Sequence, residues 1–429
     1  MTSSRRFFLR NGALALAGTT ALPAFLTRAV MAATTDTLAP LAGKGRRLVV
    51  IFQRGAADGL NIVVPWREPN YYTMRPTIAI PQNKVLDLDG FFGLHPSMAS
   101  LQPLFSQGHL AIVHATGSPD GTRSHFDAQD YMESGTPGIK STPDGWLNRA
   151  LQAEDAVQAQ ALRNAKQAQI HTAFRAVALS TDLPRTLAGS IPALAISNVQ
   201  DFAVGGRGAK PAPVATAFES MYDQSGDTLL HTAGDSTFEA IRMLRSTDPA
   251  HYAPSPDARY PDNPFAKNMK QIAQLLKANL GVEAAFTDIT GWDTHQNQGS
   301  TEGQLSNRLR DFSDSIAAFW RDMGQDAESV TLVTMSEFGR TAHQNGTGGT
   351  DHGHANAMFI LGGNVKGGKV YGKWPGLSEH QLNEGRDLAI TTDYRNVLGE
   401  VVSKTIGATN LDVTFPGARL NPKQFLGLV

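Results

Sequence analysis

Five short apolar runs, Arg47 to Gln53, Leu110 to Ala115, Ala284 to Ile289, Thr331 to Ser336 and Ala357 to Leu361, are separated by longer stretches, several of helical periodicity. Runs this short and this uniformly apolar suit strands buried on both faces, as parallel strands are. The spacing predicts helices over Met269 to Leu280 and Gln304 to Arg321, the second with Leu305, Leu309, Phe312, Ile316 and Phe319 on one face. Strand, helix, strand order implies a doubly wound α/β sheet, and ligands of such sheets bind beyond the carboxyl ends of the strands. No linker divides the chain, so residues 33–429 read as one large α/β domain. The Ala- and Gln-rich stretch around 135–260, broken by Pro and Gly/Ala/Pro runs, reads as an inserted subdomain, and a further helix is expected over Asp393 to Ile406.

Residues 1–32 read as something other than domain. Ser4, Arg5, Arg6, Phe7, Phe8, Leu9 and Arg10 precede a weakly apolar run from Asn11 to Phe25, with small residues at Ala32 and Ala33. That is the pattern of a twin-arginine signal peptide, too short in its apolar part to span a bilayer. It predicts export by the twin-arginine translocase to a periplasmic or secreted location, without stable membrane insertion. Cleavage after Ala32 leaves 34 Lys and Arg against 39 Asp and Glu, a mildly acidic chain with no basic stripe for nucleic acid. Cysteine is missing altogether, which excludes disulfides, thiolate chemistry and cysteine-bound iron–sulfur clusters; no GxGxxG loop follows the first strand to hold a nucleotide cofactor.

Chemistry-bearing residues gather where the apolar runs end. After the first run, Arg54-Gly-Ala-Ala-Asp58-Gly offers a tight turn with an acid that could meet a metal or simply make the turn. After the second, Arg123, Ser124, His125, Asp127 and Asp130 occur together: Ser124 could be a nucleophile activated by a metal or His125, or a helix N-cap, and Arg123 could clamp an anion. After the third, Asp293 and His295 lie two apart and can reach one ion. Between the fourth and fifth stand Glu337, Arg340, His343, Asp351, His352 and His354, with Thr347 to Thr350 reading as a flexible loop. Imidazoles and carboxylates in this concentration point to a divalent metal, Zn, Mn or Ca. Either His352 or His354 could turn inward, since alternate residues of an extended segment share a face.

The segments RGAADGLN, GLHPSM, RSHFDAQDYMESG, GWDTHQNQ, SEFGRT and GTDHGHANAMFILGGNVKGG make the chain resemble a family of twin-arginine-exported bacterial proteins of unknown function. That family is assigned to the alkaline phosphatase and sulfatase superfamily, and the resemblance covers nearly the whole mature chain. It implies an alkaline-phosphatase-like, mostly parallel sheet with helices on both faces, and two divalent ions at its carboxyl edge serving a nucleophile that attacks phosphate or sulfate esters. By position Asp58 looks like the first-strand metal acid and Ser124 falls in the region of the nucleophile. Asp293 and His295 look like ligands of one ion, with His352 or His354 as its distal histidine, and Asp351 stands beside them. Glu337 falls where the superfamily places the Asp of an Asp-His pair, but the next residue is Phe338. The implied readings are a one-metal or altered two-metal hydrolase of a small-molecule or polysaccharide ester, with Arg123 or Arg54 taking up developing charge, or a binding protein that has kept the fold without turnover.

Overall fold

The structure is a computed structural model and describes residues 46–165 (backbone alone for 158–165), 172–200, 240, 241, 243, 244, 247 and 251–429. Residues 1–32, read above as a twin-arginine signal, and much of the 135–260 stretch lie outside the described residues.

The strands are β1 (Arg47–Arg54), β2 (Val63–Val64), β3 (Leu86–Asp87), β4 (Gly93–Leu94), β5 (Leu110–Gly117), β6 (Ala176–Ala178), β7 (Ala193–Ala195), β8 (Ala284–Thr290), β9 (Val330–Met335), β10 (Asn356–Gly362), β11 (Lys369–Tyr371) and β12 (Thr392–Asp393). The longer described helices are α1 (His125–Ser134), α2 (Trp146–Ala165), α3 (Pro264–Lys277), α4 (Gln304–Met323) and α5 (Tyr394–Thr405). β2, β4 and β3 form a small antiparallel sheet. The main sheet runs β11-β5-β10-β9-β1-β8-β6-β7, with β12 also paired to β5.

Alternation along β1 shows why this sheet needs helices on both sides. Val49 and Ile51 pack into one apolar cluster with Met269, Ile272, Leu309 and Phe312 of α3 and α4. Leu48, Val50 and Phe52 face the other way, against Trp146, Leu147 and Leu151 of α2 and Val397, Leu398 and Val401 of α5. A strand buried on both faces cannot show a polar side, which is why these runs are uniformly apolar. The expected fold class, a doubly wound and mostly parallel α/β sheet, is the one observed, and all five anticipated core strands form. No helix of the described residues is long and apolar enough to cross a membrane.

Two features differ from the sequence reading. β10 runs antiparallel to both β9 and β5, while the other main-sheet pairs are parallel. The connection 336–355 contains no helix to carry the chain back across the sheet, so the chain re-enters from the edge it has just left. Within the stretch read as an insertion, α2 packs on the sheet and β6 and β7 extend it beside β8, so residues 146–165, 176–178 and 193–195 belong to the main body.

The topology fixes where a site can lie. The carboxyl ends of β1, β5, β8 and β9 and the amino end of the reversed β10 share one edge, and every segment singled out above opens onto it.

Candidate metal centre

Three connections on that edge bring four side chains together. His125 is the first residue of α1, beyond β5; Asp293 and His295 follow β8; His352 comes from the connection between β9 and β10. His295 Nε2 lies 3.0 Å from His352 Nε2 and 3.0 Å from Asp293 Oδ1. His352 Nε2 lies 3.4 Å from Asp293 Oδ1, and His125 Nε2 lies 3.5 Å from Asp293 Oδ2. Donors around a tetrahedral ion with metal–nitrogen bonds of about 2.0–2.1 Å stand about 3.3 Å apart, so the spacing suits one borderline divalent cation.

Each imidazole is oriented from behind. His125 Nδ1 donates to Glu337 Oε1 at 2.8 Å, His295 Nδ1 to Asp351 Oδ1 at 2.9 Å, and His352 Nδ1 to the Arg123 carbonyl at 2.9 Å. With Nδ1 committed as the donor, the Nε2 lone pairs of His295 and His352 face each other at a distance that needs a proton or a cation between them. His125 Nε2 is buried and has no hydrogen-bond partner. His125, Asp293 and His352 offer donor atoms that all lie within reach of one ion, His295 adds a third imidazole against Asp293 and His352, and the outward-facing nitrogens are already satisfied, so the set fits a metal ion.

Charge is set by the same contacts. Burial pushes the Asp293 carboxyl up, but the Arg340 guanidinium, whose Nη1 donates at 2.5 Å, outweighs it and holds Asp293 below the usual carboxylate range. For Glu337, 1 % exposed, burial is likewise outweighed by hydrogen bonds from His125, Gln129 and the Gly55 amide, so it stays ionised. That hydrogen bond to Glu337 is also the main reason the His125 imidazole sits above the ordinary histidine value. Burial pushes His352 down, which favours the neutral form a ligand needs.

The connection 336–355 is anything but slack. The Gly349 position lies against the His295 carbonyl, where a Cβ would come within 2.3 Å, and the amides of Asn297, Gln298 and Thr350 bond across between the two connections. Nearer the strands, Arg340 pairs with His352 in an isolated antiparallel bridge, and Gly353 packs so closely that a Cβ would lie 2.2 Å from the Arg340 carbonyl carbon. Phe338, standing where a histidine was implied, is 3 % exposed and stacks on His125 with ring centroids 5.0 Å apart. It forms an apolar floor under the imidazoles, with Ala56 and Ala128.

Of the residues anticipated from sequence, Asp293, His295 and His352 converge. Glu337 and Asp351 stand one layer out, accepting from histidines. Asp58 is fully buried and turned elsewhere, its Oδ2 held at 2.7 Å by both Arg75 Nη1 and Gln298 Nε2. His354 is not in the cluster; the charges acting on its ring are those of Asp387, Arg123, Glu384 and Asp120. Ser124 is exposed and is the N-cap of α1, its hydroxyl accepting from the Asp127 amide at 3.5 Å, with no bond to an imidazole or carboxylate. The Arg123 guanidinium is engaged by Asp387 and Glu384, and that of Arg54 by Asp288, Glu133 and Gln129. Sequence reasoning gave His125 only an activating role; its position immediately after an N-cap on this edge is the signal that puts it among the converging donors.

A doubly wound sheet with a histidine and carboxylate cluster at its carboxyl edge defines the general class. The chain belongs to the family described as "Protein of unknown function (DUF1501)", whose model matches residues 45–414. No curated protein matches it. Among solved structures it is similar to the C-terminal periplasmic domain of EcEptC from Escherichia coli in complex with Zn, at 8 % identity and a TM-score of 0.34, over 76 % of this chain and 74 % of that one. A likeness that remote leaves the reading to the site itself.

Proposed function

We propose that the chain is an exported, divalent-metal-dependent hydrolase of phosphate or sulfate esters, with His125, Asp293, His295 and His352 holding the ion. The observation that carries this is the convergence of three imidazoles, each with its far nitrogen committed to an acceptor, on a carboxylate that is 41 % exposed. Exposure separates such a site from a buried structural one, because a substrate oxygen can approach it. A bound divalent cation would supply Lewis-acid polarisation of an ester oxygen and would lower the pKa of water in its shell.

The chain's own residues prepare that chemistry. Glu337, Asp351 and the Arg123 carbonyl hold the Nδ1 protons and so aim the three Nε2 atoms inward. Arg340 keeps Asp293 ionised, and Phe338 keeps water from beneath His125. In this reading water is the attacking group and Ser124 an N-cap, since the serine hydroxyl has no base beside it. Zn suits the imidazole-rich donors better than Ca, which takes six to eight oxygens.

A second reading draws on a specific observation: Arg54 and Arg123 are already paired to carboxylates, leaving neither to take up an ester's developing charge. A non-catalytic binding protein would look like this too. The discriminating experiment is an assay of Zn-loaded mature protein on p-nitrophenyl phosphate, bis-p-nitrophenyl phosphate and p-nitrophenyl sulfate beside His352→Ala. Turnover lost in the variant supports the hydrolase; metal bound without turnover of any ester favours the binding protein. The twin-arginine route is likewise proposed, from Arg5 and Arg6, and replacing both by Lys should keep the protein from the periplasm.

A further inference from the structure

The acids around the centre divide unequally. Glu337 accepts from His125, Gln129 and the Gly55 amide, and Ser336 donates to its second oxygen. Asp351 accepts from His295 and Asn345. Asp58 is paired to Arg75, a guanidinium with no solvent exposure that also donates to Asn61 and to the carbonyls of Thr341 and Ala342. Asp293 alone faces the converging imidazoles, and its Oδ1 is shared with Arg340, whose side chain is also fully buried. A chain of hydrogen bonds joins the two arginines. Gln298 donates to Asp58 and accepts from Thr294 and Thr350, and the Thr350 hydroxyl accepts in turn from Arg340 Nε.

We propose that this centre takes one divalent cation and not two, because Arg340, braced through Thr350 and Gln298 against the Asp58–Arg75 pair, is a built-in second positive charge on Asp293. The proposal rests on the metal reading above. A second ion would need a carboxylate free to turn towards it, and of the four acids in this network Asp58 and Asp293 are each paired to a buried guanidinium while Glu337 and Asp351 each hold a histidine Nδ1–H; Asp58 Oδ1, buried without a partner among the described residues, belongs to a carboxylate already paired to Arg75. It would also have to approach a fixed guanidinium, and two positive charges about 4 Å apart repel strongly even at an effective dielectric of about 20. Arg340 cannot touch substrate, since it is buried, so it is a positioning residue that also tunes charge. By drawing electron density from Asp293 Oδ1 it leaves the single ion a stronger Lewis acid than three imidazoles and a free carboxylate would.

The test counts ions. The full mature chain is stripped with chelator, dialysed against cobalt(II) chloride, and assayed for bound cobalt by plasma mass spectrometry and for the visible d–d band, beside Arg340→Met and Arg340→Lys. Wild type and Arg340→Lys should each hold one cobalt per chain. Arg340→Met, freed of the like charge, should bind its first cobalt about tenfold more tightly or take up a second. Two cobalts in wild type would overturn the proposal while leaving the metal reading in place. One cobalt in wild type with weaker binding in Arg340→Met would also overturn it, showing that the arginine only orients Asp293. No cobalt in wild type would remove the metal reading and the proposal together. If Arg340→Met does not fold, Arg340→Gln, which removes the charge but can still donate to Thr350, takes its place with the same expected outcomes.

Discussion

His125, His295 and His352 are each aimed by a partner more than 50 positions away in sequence, and that separation decides what substitutions should do. Glu337→Gln keeps an acceptor for His125 but loses the charge, and should weaken Zn binding about 10–100-fold, the usual cost of changing a ligand's outer partner. Ser124→Ala should leave Zn affinity unchanged and cost at most about 1 kcal/mol of stability as a lost cap. Calorimetric Zn titration and thermal unfolding of the two variants check this pair; a collapse of Zn binding in Ser124→Ala would bring the serine back into the centre. Asp293 and His295 were legible because they lie two apart beyond a strand. The place of His125 beside them is not legible, because the same letters describe a helix start, and nothing local to Asp58 announces that Arg75 and Gln298 hold its Oδ2.

At the scale of elements, the connection 336–355 carries most of the site, and its geometry depends on close backbone approach. Gly353→Ala would push a methyl into the Arg340 backbone and prise His352 away from Asp293. Metal affinity should fall at least tenfold, by the same loss of ligand orientation, with secondary structure by circular dichroism unchanged; retained affinity would show that the bridge between Arg340 and His352 does not position the ligand. The core strands and the helix Gln304–Met323 could be read in advance because their apolar spacing is dense and long. The direction of β10 could not: burial on both faces removes the alternation from which orientation might be inferred, and only the lack of a helix before it carried the information. β6, β7 and β11 are three residues each, too short to stand out from an Ala-rich or Gly-rich background.

For the whole molecule, a histidine outside the centre should add to the loss of stability in acid. His114 is buried on β5, its Nε2 donating to the Val63 carbonyl and its Nδ1 accepting from the Ala115 amide, and Phe92 stacks on it. Burial pushes its imidazole down to about 4. The unfolded chain therefore binds a proton below about 6.5 that the folded chain refuses, so this contribution is complete above pH 6.5 and is lost as pH falls towards 4. At about 1.36 kcal/mol per unit the loss approaches 3 kcal/mol. Urea unfolding from pH 7 to 4 should lose stability more steeply in wild type than in His114→Gln; equal slopes would mean that His114 contributes nothing to the acid sensitivity. The cross-bracing of the centre sets, finally, an order in time. His125 waits for Glu337, 212 positions later, and His352 reaches back 229 positions to the Arg123 carbonyl. A chain emerging from the ribosome cannot assemble the ligand set until β9 and the connection after it have been synthesised and docked, so ion capture would be a late event that reports a finished fold.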